Sequence, residues 1–206
     1  MAGLIIDHYE RHALAWDADR SKRPWIDKPW LERFADTLPD GAHILDLGCG
    51  GGAPVAHYMT GRGFHVTGLD SSPTLISLCR SRLPDQEWLV GDMRALRLNR
   101  RFDGVLAWDS FFHLGHDDQR RMIGLFAQHA GPSAMLMFNS GPAHGEAIGD
   151  YRGDPLYHAS LAAEEYEALL HTAGFGVVAH EVEDWQNGAG RTVWLARKDR
   201  PDDQNL

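Results

Sequence analysis

The chain has 206 residues and a formal net charge of -9. That length favours one well-buried domain over two, and the acidic balance disfavours nucleic acid as a partner, because phosphate binding is dominated by Lys and Arg. No apolar stretch approaches the roughly 20 residues of a membrane span. The start "MAGLIIDHYERHALAWDADR" breaks its apolar run at Asp7 with no basic leader, so the expected location is cytoplasmic.

Ile5, Tyr9, His12 and Trp16 recur at helical spacing, with Glu10 and Arg11 turned away, and predict a first helix. Trp30, Phe34 and Leu38 continue the rhythm in a second helix after Pro29, and "LPDG" ends it with a turn. Strands and helices then alternate. "HILDLG" reads as a buried strand, "APVAHYMTGRG" as a helix, and "FHVTGLD" as a strand closing on Asp70. "SSPTLISLCRSRL" opens with Ser72 as N-cap and Pro73 at the first helical position. "EWLVGD" and "FDGVLAWD" are further strands, a helix covers about 117–130, and "SAMLMFNS" is the fifth strand.

Residues 139–160 read as a long loop. A helix carrying Tyr166, Leu169 and Leu170 follows and stops at Gly174, and "GVVAHEVEDW" with "RTVWLARK" reads as a terminal β-hairpin. The expected fold is α/β, a doubly wound, Rossmann-like, mostly parallel sheet with helices on both faces. Residues 1–206 form one domain on this reading, with 199–206 as a flexible tail.

In such sheets ligands sit beyond the carboxyl ends of the strands, where Asp46, Gly48, Gly50, Asp70, Asp92, Trp108 and Asp109 fall. Gly48 permits the tight exit from the first strand, and Gly50 lets a ligand approach the backbone. Asp70, twenty residues after Gly50, sits where an acidic side chain receives ribose hydroxyls. Gly48, Gly50 and Ala53 also satisfy the dinucleotide pattern G-x-G-x-x-A. Asp46 argues against a pyrophosphate and for a cationic ligand, since like charges repel. A small NAD(P)-dependent reductase therefore stays as an alternative, although no Tyr-x-x-x-Lys pair follows the fifth strand. A non-catalytic nucleoside-binding module stays as another.

In order and spacing, "ILDLGCGGGAP", "VTGLDSSPTLISLCR", "VGDMRAL", "FDGVLAWDSFFHL" and "LHTAGFGVV" resemble the class I S-adenosylmethionine-dependent methyltransferases over residues 41–198. The resemblance implies a seven-stranded sheet with one antiparallel strand, and residues 1–40 as a helical lid. It implies S-adenosyl-L-methionine as cofactor, leaving as S-adenosyl-L-homocysteine. Asp46 and the Gly48–Cys49–Gly50 backbone would hold the methionyl portion, and Asp70 beside Ser71 the ribose. Asp92 would accept from the adenine amino group, Met93 would flank the ring, and Trp108 next to Asp109 would border the reactive centre.

Methyl transfer from a sulfonium needs alignment above all, and a base only if the acceptor arrives protonated. Candidate bases are His113, which leads because it closely follows the fourth strand, with His12, Tyr9, Tyr157 and His158. The 139–160 segment reads as an acceptor cover, with Trp16, Trp25, Phe111, Phe112 and Trp185 as possible apolar walls. "HYERH" places His8 and His12 four residues apart but has Tyr9 where a zincin needs Glu, so no metal is expected. Cys49 and Cys79 read as reduced thiols, and Arg94, Arg97, Arg100 and Arg101 as a solvated basic loop. "WDSF" stands where enzymes of nucleobase amines carry an Asn/Asp-Pro-Pro-aromatic motif, so the expected acceptor is a small molecule, methylated on O, N or S.

Overall fold

The computed structural model describes residues 2–200. Helices α1 (Ile5–Lys22) and α2 (Lys28–Asp36) precede an alternating series: β1 (His43–Leu47), α3 (Val55–Gly61), β2 (His65–Asp70), α4 (Pro73–Arg82), β3 (Glu87–Val90), β4 (Phe102–Ala107), α5 (His116–His129) and β5 (Ala130–Ser140). Then come β6 (Gly145–Tyr151), β7 (Asp154–Ser160), α6 (Ala163–Thr172), β8 (Phe175–Asp184) and β9 (Arg191–Lys198).

Seven strands form one sheet in the order β3-β2-β1-β4-β5-β9-β8. Neighbours from β3 to β5 pair in parallel, and β9 runs antiparallel to both β5 and β8. The strand order reverses at β1, so the segments leaving β1 and β4 diverge and leave a crevice between them.

Alternation along each buried strand divides the core between the two faces. Leu45 and Leu47 of β1, with Val105 and Phe138, pack with Phe126 of α5 and Tyr166 of α6. Ile44 from the same strand packs on the other side with Leu106, Met137, Met59 of α3 and Ile76 of α4. Ser72 caps α4 by accepting from the Leu75 N–H at 3.1 Å, as its sequence suggests.

Three expectations are corrected. Residues 145–160 are a two-stranded hairpin, paired from Gly145↔Ser160 to Tyr151↔Asp154. Its β6 is mostly exposed and carries Gly149 in place of an alternating apolar pattern, so no period-2 signal reveals it. The turn takes positive φ at Arg152 and Gly153, the geometry of a tight hairpin, where Asn-Gly is the familiar signal and Arg-Gly is not. Of the two helices read as a lid, only α1 covers the crevice; α2 buries Trp30, Leu31 and Phe34 against Ile44 and Leu106 and belongs to the core. The tail read as flexible is tied down at its start, where the Asp199 N–H donates to the Gly174 carbonyl at 2.9 Å. Residues 201–206 lie outside the described residues.

Glu10 and Arg11 do not face solvent idly. Glu10 accepts from the Thr74 hydroxyl at 2.6 Å and from the Ser72 hydroxyl, binding α1 to the start of α4. Asp17 takes a bidentate pair from Arg82 at 2.6 Å, and Arg82 also donates to the Gly51 carbonyl at 2.8 Å. On the opposite flank Asp19 accepts from Tyr151 and Arg152 in the hairpin. Helix α1 is thus strapped between the core and the hairpin.

Candidate active site

A cleft of about 1040 Å³, measured out to its mouth, opens over the ends of β1, β2 and β4 and beneath α1. Gly48 is required at its floor on two counts. Its φ is +76°, and a Cβ there would meet the Ser110 Cβ at 2.3 Å. Ser110 in turn donates to the Leu47 carbonyl at 2.6 Å, closing the β4 segment onto the β1 exit. Gly50 also has positive φ, but the space beyond it is open toward the cleft.

The carboxylates around the cleft differ in what still engages them. Asp46 is buried, and its Oδ2 has no hydrogen-bond partner among the described residues. Burial first, then the charge of Asp70, pushes its carboxyl up to about 7, with Arg20 partly offsetting them. A buried, unpaired carboxylate costs free energy until a cation or donor meets it. Asp70 accepts from the N–H groups of Gly50 and Ser72, each at 2.9 Å, which leaves lone pairs on both oxygens. Burial raises its carboxyl despite those bonds. Ser71, Cys49 and Met93 complete this wall.

Asp92 and Asp109, which also line the cleft, are each engaged by arginines. A carboxylate has about four acceptor positions, and Arg94 fills those of Asp92 through its backbone N–H, Nε and Nη2, at 2.6 to 3.0 Å. Burial opposes ionisation of Asp92, yet Arg94 outweighs it and keeps the carboxyl below its ordinary value. Of the neighbouring basic residues, Arg94 and Arg100 are thus paired, the latter with Glu87.

Asp109, at φ +54°, accepts from Arg191 at 2.6 and 2.8 Å, from Arg20 at 3.0 Å and from Asn139 at 2.7 Å. Its N–H donates to Asn139 Oδ1 at 2.9 Å, which fixes the unusual backbone. Burial opposes its charge, but Arg191 and Arg20 hold it well below the usual carboxylate range. Asp109 therefore positions Arg20, a cation of the cleft wall that the sequence reading missed. The signal was present, since Arg20 lies four residues beyond Trp16 on the Tyr9 face of α1. Trp108 borders the cleft while its Nε1 donates to the buried Asp27 at 2.6 Å.

Of the five candidate bases only Tyr9 and His113 line the cleft. His113 is buried, and its Nδ1 lies 2.8 Å from the Tyr157 carbonyl, which makes Nδ1–H the donor. Its Nε2 is then an acceptor, taking the Tyr9 hydroxyl at 2.7 Å. Burial depresses the His113 imidazole to about 4 and raises the Tyr9 phenol, so both are neutral near pH 7. The Tyr157 hydroxyl turns away to Glu146, and His158 packs against Phe112 and His113. His12 points to Asp154 in the hairpin at 2.7 Å. The hairpin therefore buttresses α1 and His113 without lining the cleft. Among the aromatic walls proposed from sequence, Trp16 lines it, Phe111 is core, and Trp185 is 75% exposed.

Comparison with known proteins agrees with this architecture. Residues 44–133 match the family model of a methyltransferase domain. The chain is 30% identical over 103 residues, 48% of its length and 42% of the relative's, to dTDP-3-amino-3,4,6-trideoxy-alpha-D-glucopyranose N,N-dimethyltransferase of Streptomyces venezuelae. It is 35% identical to magnesium-protoporphyrin O-methyltransferase of Rhodobacter capsulatus, covering 50% of this chain and 47% of that one. The chain thus spans less than half the length of these curated relatives.

Among solved structures, the 1,6-didemethyltoxoflavin-N1-methyltransferase of Burkholderia thailandensis, with S-adenosylhomocysteine bound, superposes with a TM-score of 0.75 at 18% identity. That match covers 96% of this chain and 88% of the other. Residues 44–133 thus resemble a methyltransferase domain, and the chain has the fold of the class I S-adenosylmethionine-dependent methyltransferases. No helix among the described residues is long and apolar enough to cross a membrane.

Proposed function

We propose that this chain is an S-adenosylmethionine-dependent methyltransferase that methylates an O, N or S atom of a small-molecule acceptor. The observation that carries the reading is Asp46, a buried carboxylate with an unpartnered oxygen at the floor of the cleft. Such a group calls for a cation and repels the pyrophosphate of a nicotinamide coenzyme, which sets the reductase reading aside. The ammonium of S-adenosylmethionine meets that demand, and Arg20 on the facing wall suits its carboxylate. Asp70 has lone pairs for ribose hydroxyls, and Met93 supplies an apolar surface for the base.

When bound, the cofactor supplies an electrophilic methyl on a sulfonium that leaves as a neutral thioether. The chain's own work is to desolvate and align, and alignment of this kind is worth on the order of 7 to 11 kcal/mol of a barrier. Strapped on both flanks, α1 excludes water from above. Tyr9 donates its hydroxyl hydrogen bond to His113 Nε2, so the lone pairs of its oxygen are free to accept from an acceptor's O–H, N–H or S–H and orient it. Tyr9 and Trp16 offer a confined aromatic wall suited to a small acceptor.

Turnover tests the reading: the protein is incubated with a metabolite library and methyl-labelled S-adenosylmethionine, and labelled product is sought. Label transfer that disappears on Asp46→Asn supports it. Tight cofactor binding with no transfer across the library favours a non-catalytic binding module.

A further inference from the structure

The motif "HYERH" acquires a meaning in the fold that its sequence spacing lacks. His8 and His12, one turn apart on α1, have ring centroids 4.9 Å apart. The hairpin brings Asp154, from the start of β7, against them, and one ligand atom from each of the three residues lies within 4.8 Å of the others. His8 is 4% exposed, and its Nε2 has no hydrogen-bond partner among the described residues. A nitrogen so buried and unpaired costs free energy, and ligation of a metal would satisfy it. None of the three residues lines the cleft.

We propose that His8, His12 and Asp154 bind one divalent transition-metal ion of the zinc type, which clamps the β6–β7 hairpin to α1. Two imidazole nitrogens and one carboxylate oxygen suit zinc, cobalt or ferrous iron, whereas magnesium and calcium prefer oxygen alone. Ligands about 2.1 Å from a tetrahedral ion stand about 3.4 Å from one another, so the cluster needs only side-chain adjustments to close. Binding breaks the 2.7 Å contact between His12 Nε2 and Asp154 Oδ2, with the His12 proton moving to Nδ1. It also displaces Arg11, which pairs with the same oxygen at 2.5 Å but is 61% exposed and free to swing into solvent. A water occupies the fourth position.

The ion is structural and takes no part in group transfer. Its ligands neighbour functional residues all the same: His8 precedes Tyr9, and Asp154 lies three residues before Tyr157, whose carbonyl holds His113. The clamp thereby secures both ends of the Tyr9–His113–Tyr157 chain of hydrogen bonds.

The test uses the full chain, stripped of metal with a chelator, without cofactor or acceptor, so its outcome is independent of the proposed activity. It is titrated with Co²⁺ followed by visible absorption, then with Zn²⁺ as competitor, while the melting temperature is recorded. One equivalent of Co²⁺ with tetrahedral ligand-field bands, displaced by Zn²⁺, is expected, and Zn²⁺ should raise the melting temperature, as a ligand of the native state does. His12→Gln and Asp154→Asn change half-buried positions and keep the protein foldable, as circular dichroism verifies; each should lose the tight equivalent, while Arg11→Ala retains it. The stacked pair His116 and His144 is the competing site on this surface. Equal Co²⁺ binding by wild type and Asp154→Asn, or loss only on His116→Ala, overturns the proposal.

Discussion

The Tyr9 hydroxyl lies 2.7 Å from His113 Nε2, and the other nitrogen of that imidazole is held at 2.8 Å by the Tyr157 carbonyl. The sequence reading puts His113 first among the candidate bases, and the proposed function puts Tyr9 ahead of it. His113 is too buried and too weakly basic to take a proton directly near neutral pH, and it serves to aim the phenol. On the proposed reading, Tyr9 is the group that meets the acceptor.

Tyr9→Phe should therefore lower kcat by roughly 10²-fold, the cost of a misplaced reactant, with little change in cofactor affinity. His113→Asn should produce a milder loss, because it shifts the phenol without removing it. Steady-state kinetics with an identified acceptor, beside calorimetry with S-adenosylhomocysteine, separate the two effects.

The His113 imidazole should titrate near pH 4 and give no transition near 6.5, which a histidine-selective NMR titration reads directly. Because its folded value is depressed, it contributes stability that is present above about pH 6.5 and is lost as the pH falls through 4. The contribution is on the order of 3 kcal/mol.

Asp46 acts in the opposite sense over nearly the same window. Its carboxyl is raised to about 7, so its contribution is complete below about pH 4 and is lost as the pH rises through 7. In wild type the two effects largely cancel. Asp46→Asn should unmask the His113 dependence and raise the melting temperature at pH 8, by up to about 4 kcal/mol in stability. The same variant should lose cofactor affinity. In wild type, cofactor affinity should rise with pH until about 7 and then level off, since a cation binds the ionised carboxylate.

Asp70→Ala should weaken S-adenosylhomocysteine by about 10²-fold, from lost hydrogen bonds to a charged group worth about 1.5 to 3 kcal/mol each. It also frees Gly50, so a loosened glycine loop should appear as faster amide exchange there. Affinity equal to wild type removes the ribose contact.

Asp109→Ala leaves Arg191 and Arg20 without their shared partner. Breaking a partly buried charge pair from one side costs at most about 3 kcal/mol, and thermal unfolding should show it. Asn139→Ala should cost less, because it releases the left-handed Asp109 backbone but keeps the ion pairs.

Much of the core was legible in the sequence because β1, β2, β4 and β5 are buried runs bounded by Gly, Asp and Pro, and because Ser72–Pro73 announces α4 with a cap. Asp46, Gly48 and Asp70 were legible for a related reason: their strand ends lie at the crevice, and their neighbours in space are near in sequence. The partners of Asp92 and Asp109 were less so. Arg94 sits two residues from Asp92 yet reads as part of a basic loop, and Arg191 reaches Asp109 from 82 residues away. The hairpin escaped notice because a thin, exposed ribbon carries no strict alternation. With it went the meeting of Asp154 with His12, which depends on folding across 142 residues.

The central claim is that the crevice takes a sulfonium nucleoside because an unpaired Asp46 carboxylate awaits its cation. Isothermal titration of wild type and Asp46→Asn with S-adenosylmethionine, and of wild type with NADH and NADPH, examines it most directly. The expected result is one site for S-adenosylmethionine in wild type, a severe loss of that site in the variant, and no heat from either nicotinamide. Saturable binding of NADH or NADPH, with no heat from S-adenosylmethionine, would contradict the account.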